Sequence, residues 1–153
     1  MSQEQLPLAG VTVVSVEQAV AAPLCTARLA EAGARVIKIE RASGDFARGY
    51  NDFVGGEASY FVWINRGKES LVLDIKQPED QALLKNILAE AQVWIQNLAP
   101  GAMERIGLGS IAPGARFCIQ TWASANIFFN NAWSFDCLIS STSDSLPRFI
   151  HTK

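Results

Sequence analysis

Histidine is almost missing from this 153-residue sequence: His151 stands alone near its end. A zinc site would therefore need unusual partners. Cysteine is scarce too. Cys25, Cys118 and Cys137 are odd in number and far apart, with no CxxC pair and no disulfide framework. That usage suits a reducing compartment, most simply the cytoplasm. No window approaches the roughly 18 apolar residues of a membrane span. The opening MSQEQLPLAG lacks the basic patch and apolar run of a signal peptide. Charge of one sign is lacking as well. The formal net charge is −2, so the basic excess of a nucleic-acid-binding protein is not there, and no acidic tail is present.

What is present suits a globular protein. The chain is 49% hydrophobic and 18% charged, a balance that argues against global disorder. Its length falls within the range of one domain and allows a real core. The composition is uneven, however. Of the 28 charged residues, only Arg116, Asp136, Asp144, Arg148 and Lys153 lie beyond residue 109. That tail holds five of the eight phenylalanines and shows neither clean alternation nor a sustained helical stripe. We expect two parts, 1–109 and 110–153, the second being a buried sheet edge with loops, or a segment of altered reading or a fragment end.

The first part reads as alternating strands and helices. Residues 11–16, VTVVSV, form a β-branched strand. Pro23 suits the first turn of a helix running to residue 32, with Gly33 as its cap. Residues 34–40, ARVIKIE, are the next strand, completing a βαβ pattern and hence a parallel sheet. Residues 42–68 form a long excursion with turns at Ser43-Gly44 and Gly55-Gly56 and a short helix over 58–64. Ordered excursions of this length are often functional. A strand is expected over 69–76. A helix follows from Pro78, with Glu79 and Asp80 matching its dipole and Leu83, Leu84, Ile87, Leu88 and Ala91 on one face. Residues 93–97 form another strand. Pro100 and Gly101 then turn the chain into a short helix ended by Gly107 or Gly109.

The βαβ start and Glu40 at the end of the second strand invite a dinucleotide reading, since an acidic residue there can hold a ribose. The loop after the first strand, EQAVAAP, contains no glycine, so its backbone cannot approach a pyrophosphate in the usual way. Gly67-Lys68 lacks the surrounding pattern of a Walker motif. Glu17 and Gln18 end a strand where sheets of this type bind ligands; they are candidate lining residues, with no nucleophilic role evident for Glu17.

Four stretches together point further: LAGVTVVSVEQAVAAPLCTARLAEAGARVIKIER, GDFARGY, NRGKESLVLDIK and VWIQNLAPGAMERIGLG. In this order and spacing the chain resembles the amino-terminal part of the family III CoA-transferases, over residues 6–109. The resemblance implies an α/β, Rossmann-like parallel sheet, incomplete relative to the family fold, and interlocked homodimers, which so short a chain is not expected to form. It implies coenzyme A as substrate, moved from an acyl-CoA (succinyl-CoA by the EQAVAAP and FARGY wording) to a small carboxylic acid. An aspartate attacks the thioester, which is nucleophilic catalysis by a carboxylate.

By motif, Arg41 would sit near the CoA phosphates, Leu73 and Leu98 near the adenine, and Asn97 beside them. Lys76 and Arg105 are further cofactor-side candidates. Arginine suits phosphate by its geometry and an apolar side chain suits an adenine face. Each also has a plain reading: Arg41, Lys76 and Arg105 as solvated charges, Leu73 and Leu98 as core, Asn97 as a turn residue. Arg48 and Arg66 are weaker anion candidates. Val20 stands where some members carry a glutamine, so that hydrogen-bonding group is missing.

Past Gly109 the family pattern fades. Phe135-Asp136 faintly resembles a Tyr-Asp pair that precedes the family's catalytic aspartate by about 30 residues. On that reading the nucleophile falls beyond Lys153, and neither Asp136 nor Asp144 takes its place. The alternative function is an inactive CoA-binding or structural remnant.

Overall fold

The computed structural model describes residues 6–50, 53–99, 101–107, 117–120 and 138–140. Pro100, Gly109, Asp136, Cys137, Asp144 and His151, singled out above, lie outside them.

Strand β1 is Thr12–Val16, helix α1 Ala21–Glu31 and strand β2 Arg35–Glu40. The excursion that follows carries elements of its own. It contains a 3-10 turn at Phe46–Gly49, a hairpin of β3 (Phe53–Val54) and β4 (Glu57–Ala58), and α2, Ser59–Asn65. Gly55 and Gly56 both have positive φ, 62° and 89°, as the tight two-residue hairpin turn demands. Then come β5 (Lys68–Val72), α3 (Pro78–Glu90), β6 (Val93–Gln96) and α4 (Ala102–Arg105). Two short strands, β7 (Phe117–Gln120) and β8 (Leu138–Ser140), complete the main sheet.

The sheet order is β5-β2-β1-β6-β7-β8. Pairings from β5 through β7 are parallel and β8 runs antiparallel to β7. Alternation along the strands divides two apolar clusters between the faces. On one face Val14, Val16, Ile39 and Trp94 pack with Leu84 and Leu88 of α3 and Met103 of α4. On the other, Val13, Val36 and Ile95 pack with Ala22, Cys25, Leu29 and Ala30 of α1. Helices on both faces of a parallel sheet define the α/β, Rossmann-like architecture. Burying a leucine such as Leu84 or Leu88 contributes about 1.5–3 kcal/mol.

Three sequence expectations shift. Helix α1 begins at Ala21, two residues before Pro23. Pro23 remains within the first turn, where its missing N–H has no intrahelical partner to lose. The strand expected over 69–76 stops at Val72, where its partner β2 also ends at Glu40. Asp74 turns the chain there: its carboxylate accepts from Lys76 N at 3.1 Å and its carbonyl from Gln77 N at 2.8 Å. Leu83 lies on the rim of α3 and is 46% exposed, outside the buried stripe of Leu84 and Leu88.

Strand β2 carries two kinds of side chain. Ile37 and Ile39 face the α3 cluster, whereas Lys38 and Glu40 point to the α1 side and are both buried. Their charges are met by the excursion, which packs over that face.

Candidate functional site

Chain order marks where a sheet of this kind is expected to open a ligand crevice. From β1 the chain moves to β2 on one side, and later returns to β6 on the other. In open α/β sheets the crevice lies beyond the carboxyl ends of the strands at such a switch point, here between β1 and β6. Gln18 follows β1 and Asn97 follows β6. The Asn97 carboxamide oxygen accepts from Gln18 N at 2.9 Å, and its nitrogen donates to Gln18 O at 2.7 Å. Asn97 N in turn donates to Val16 O at 3.3 Å. Asn97 thus ties the two sides of the crevice together. Between Gln18 and α1 the backbone is strained: Ala19, with φ 63°, is a non-glycine residue in the left-handed region.

The other candidates lie along the same edge or beneath it. Arg41 directly follows β2, is exposed, and donates through Nε to Gly44 O at 3.0 Å. Lys76 is exposed on the turn between β5 and α3. Arg105 is exposed at the end of α4 and lies against the turn leading into it: a Cβ on Gly101 would stand 3.2 Å from its Nη1. Leu98 is half-buried against the α3 cluster, and Leu73, 5% exposed, is a member of that cluster. Leu73 also donates its N–H to Glu40 O at 2.9 Å.

Charge pairing separates the cations into two groups. Arg28, Arg35, Lys38, Arg48, Arg66 and Lys68 are each held by a carboxylate. Arg41, Lys76, Lys85 and Arg105 have no carboxylate within salt-bridge reach among the described residues. Arg48 and Arg66 are therefore engaged as anion ligands already. Arg48 binds Glu40 through Nε and Nη2, at 3.1 and 3.0 Å, and stacks 3.8 Å over the Phe61 ring. Arg66 donates to Glu31.

Beneath the crevice lies a buried polar cluster that sequence reasoning missed. Glu17 accepts from Lys68 Nζ and from Thr26 Oγ1, both at 2.7 Å. Lys38 Nζ donates to Asp45 Oδ2 at 2.6 Å. The Asn65 carboxamide oxygen accepts from both lysines, at 2.9 Å from Lys38 and 3.0 Å from Lys68. Burial pushes the Lys68 ammonium below its ordinary pKa, with Glu17 opposing that shift. For Glu40, burial pushes the carboxyl up, but hydrogen bonds from Arg48, Ser70 and the Asp45 N–H outweigh it and leave the pKa lowered. The one signal in the sequence was the K-I-E alternation inside an otherwise β-branched strand; the partners come from 5 to 51 residues away.

A cleft of about 420 Å³ opens at the opposite end of the sheet, lined by Gly10, Gly33, Arg35 and Glu69 among others. Its guanidinium is held by Glu69 through two bonds of 2.9 Å, and it takes no part in the crevice. Among the described residues no group of three His, Cys, Asp or Glu side chains is placed to hold a metal ion, and no helix is long and apolar enough to cross a membrane.

A parallel sheet with helices on both faces and a switch point between β1 and β6 defines an α/β, Rossmann-like class of domain. The family assignment is narrower. The model of CoA-transferase family III matches residues 8–115, and the chain belongs to that family. It is 33% identical over 144 residues to the human succinyl-CoA:glutarate CoA-transferase, covering 90% of this chain and 33% of that protein. It is 39% identical over 102 residues to the acetyl-CoA:oxalate CoA-transferase of Acetobacter aceti, covering 66% and 26%. Among solved structures it resembles a CAIB/BAIF family protein from Brucella suis, with a TM-score of 0.64 and 36% identity over 67% of this chain and 29% of that one. Rv3272 from Mycobacterium tuberculosis gives 0.63 and 36% over 68% and 29%. The chain spans about a third or less of the length of these relatives.

Proposed function

We propose that this chain binds the nucleotide end of coenzyme A along the carboxyl edge of its sheet, as the cofactor-side half of a CoA-transfer site. One observation supports the reading: Arg41, Lys76 and Arg105, which come after β2, β5 and β6 in the chain, have no carboxylate partner among the described residues. Strands stand about 4.8 Å apart, so β2 and β6, which flank β1, are separated by about 10 Å, a span suited to a nucleotide bearing several phosphates. Arg41 and Arg105 bind phosphate by geometry and charge, with Lys76 adding a third cation. Leu98, packed against the cluster that includes Leu73, offers an apolar surface to the adenine, and Asn97 fixes the main chain of Gln18 beside it. Residues 1–109 carry this role. Donor and acceptor would be an acyl-CoA, succinyl-CoA foremost, and a small carboxylic acid, in the cytoplasm.

A second reading, CoA binding without transfer, has its own support. Transfer needs a carboxylate free to attack a thioester. Glu17, just after β1, and Glu40, at the end of β2, are buried and engaged by Lys68 and Arg48.

Calorimetric titration with CoA tests the first claim. Binding should weaken at least about tenfold when Arg41 and Arg105 are both changed to alanine, and should fall with added salt as exposed charges are screened. No heat of binding from the unaltered chain would sink both readings. Incubation with succinyl-CoA and a panel of carboxylic acids separates them: a new acyl-CoA product supports transfer.

A further inference from the structure

We propose that Lys68 is a positioning residue, whose buried ammonium holds the β1–α1 loop, residues 18–20, in the form that walls the crevice. The proposal rests on the CoA reading only for its consequence in binding.

The geometry ties both ends of the loop to one nitrogen. Lys68 Nζ donates to Glu17 Oε1 at 2.7 Å, just before the loop, and to Pro23 O at 2.8 Å, just after it, in the first turn of α1. Its third bond, 3.0 Å to Asn65 Oδ1, fixes the ammonium from α2. An ammonium has three donors, and all three are used. Glu17 is completed by Thr26 Oγ1 at 2.7 Å, so the carboxylate is anchored to α1 as well. The side chains of Lys68 and Glu17 are 2% and 0% exposed. The remaining charges in contact are Lys38, 4.0 Å from Glu17, and Asp45, 2.6 Å from Lys38.

Between these anchors lies Ala19 at φ 63°. A strained residue of this kind costs of order 1–3 kcal/mol and persists only where its surroundings over-determine it. Lys68 supplies that determination from below, and Asn97 supplies it from the β6 side by binding both main-chain groups of Gln18. Removing the ammonium leaves Glu17 buried with Thr26 and the more distant Lys38 as its remaining partners. The loop can then relax Ala19 toward negative φ and change the shape of the crevice wall. Lys68 itself touches no ligand; its side chain is buried under the loop.

Hydrogen exchange read by mass spectrometry on the full chain tests this directly. In Lys68→Met, amides of residues 17–24 should exchange at least about tenfold faster, while those of α3 change little. The CoA dissociation constant should rise in parallel. Where Lys68→Met does not fold, Lys68→Met with Glu17→Gln removes both charges together and carries the same readout. Unchanged exchange in the loop, or an equal rise in loop and α3, overturns the proposal. So does a loosened loop with unchanged CoA affinity. If the loop loosens as expected while the unaltered chain binds no CoA, the clamp stands and the CoA reading falls.

Discussion

The side chain of Asn97 replaces a missing strand-to-strand contact: its oxygen and nitrogen satisfy both the N–H and the C=O of Gln18, 79 residues earlier in the chain. Strand pairing between β1 and β6 ends at Val16 and Gln96, and one carboxamide carries the register a step further. Asn97→Ala therefore removes two hydrogen bonds from the part-buried main chain of Gln18. Each contributes about 0.5–1.5 kcal/mol net, so urea denaturation should show a loss of about 1–3 kcal/mol. CoA affinity should fall with it. A variant of unchanged stability would show that solvent serves Gln18 equally well.

Gly33 should tolerate no side chain. It has φ 100° and closes α1, and a Cβ there would stand 2.5 Å from Leu6 Cβ. Left-handed backbone alone costs a non-glycine residue about 1–2 kcal/mol. Gly33→Ala is expected to destabilise by at least that much, with the close contact to Leu6 adding to it. Chemical denaturation checks the figure.

Neighbouring leucines of α3 should behave differently. Leu84 is 0% exposed and Leu83 46%. Leu84→Ala should cost about 2–5 kcal/mol, as core truncations do, whereas Leu83→Ala should stay within about 0.5 kcal/mol. Thermal melts of the two variants side by side decide whether the helix face is drawn correctly.

Glu40 sets the response to acid. Its folded-state pKa is lowered, the hydrogen bonds from Arg48, Ser70 and Asp45 N–H having overcome the opposing effect of burial. The unfolded chain then binds the proton more readily, so the stability from this group is present above the unfolded pKa. It is lost as pH falls through the lowered folded value. Melting temperature should accordingly fall on acidification through and below the ordinary carboxylate range. Glu40→Gln should be less stable at neutral pH and show a shallower acid limb. An acid limb of the same slope would remove Glu40 from this role.

Legibility from sequence followed the range of the interactions. β1, α1, β2, α3 and β6 were readable because apolar periodicity and Pro or Gly boundaries act within a few residues. Arg41, Lys76 and Arg105 were singled out through motif order. The end of β5 was not, because the turn is made by Asp74 acting on residues inside an apolar-looking run. Nor was the burial of Lys38, Glu17 and Lys68 foreseeable. Lysine in a strand reads as solvated until a distant Asp45 or Asn65 is brought to it. Asn97 was singled out through the family motif, yet its partner Gln18 becomes visible only once β1 and β6 lie side by side.

The two-sided character of β2 has a consequence for how the chain finds its one arrangement. Buried parallel strands are usually apolar on both faces and tolerate misalignment poorly signalled by their side chains. Here a slip of one residue against β1 would drive Lys38 and Glu40 into the leucines of α3 and bring Ile37 and Ile39 against Asp45, Asn65 and Arg48. Each misplaced charge would lose its partner in a dry interior, at a cost of several kcal/mol. The cluster thus penalises every odd-numbered shift of the second strand.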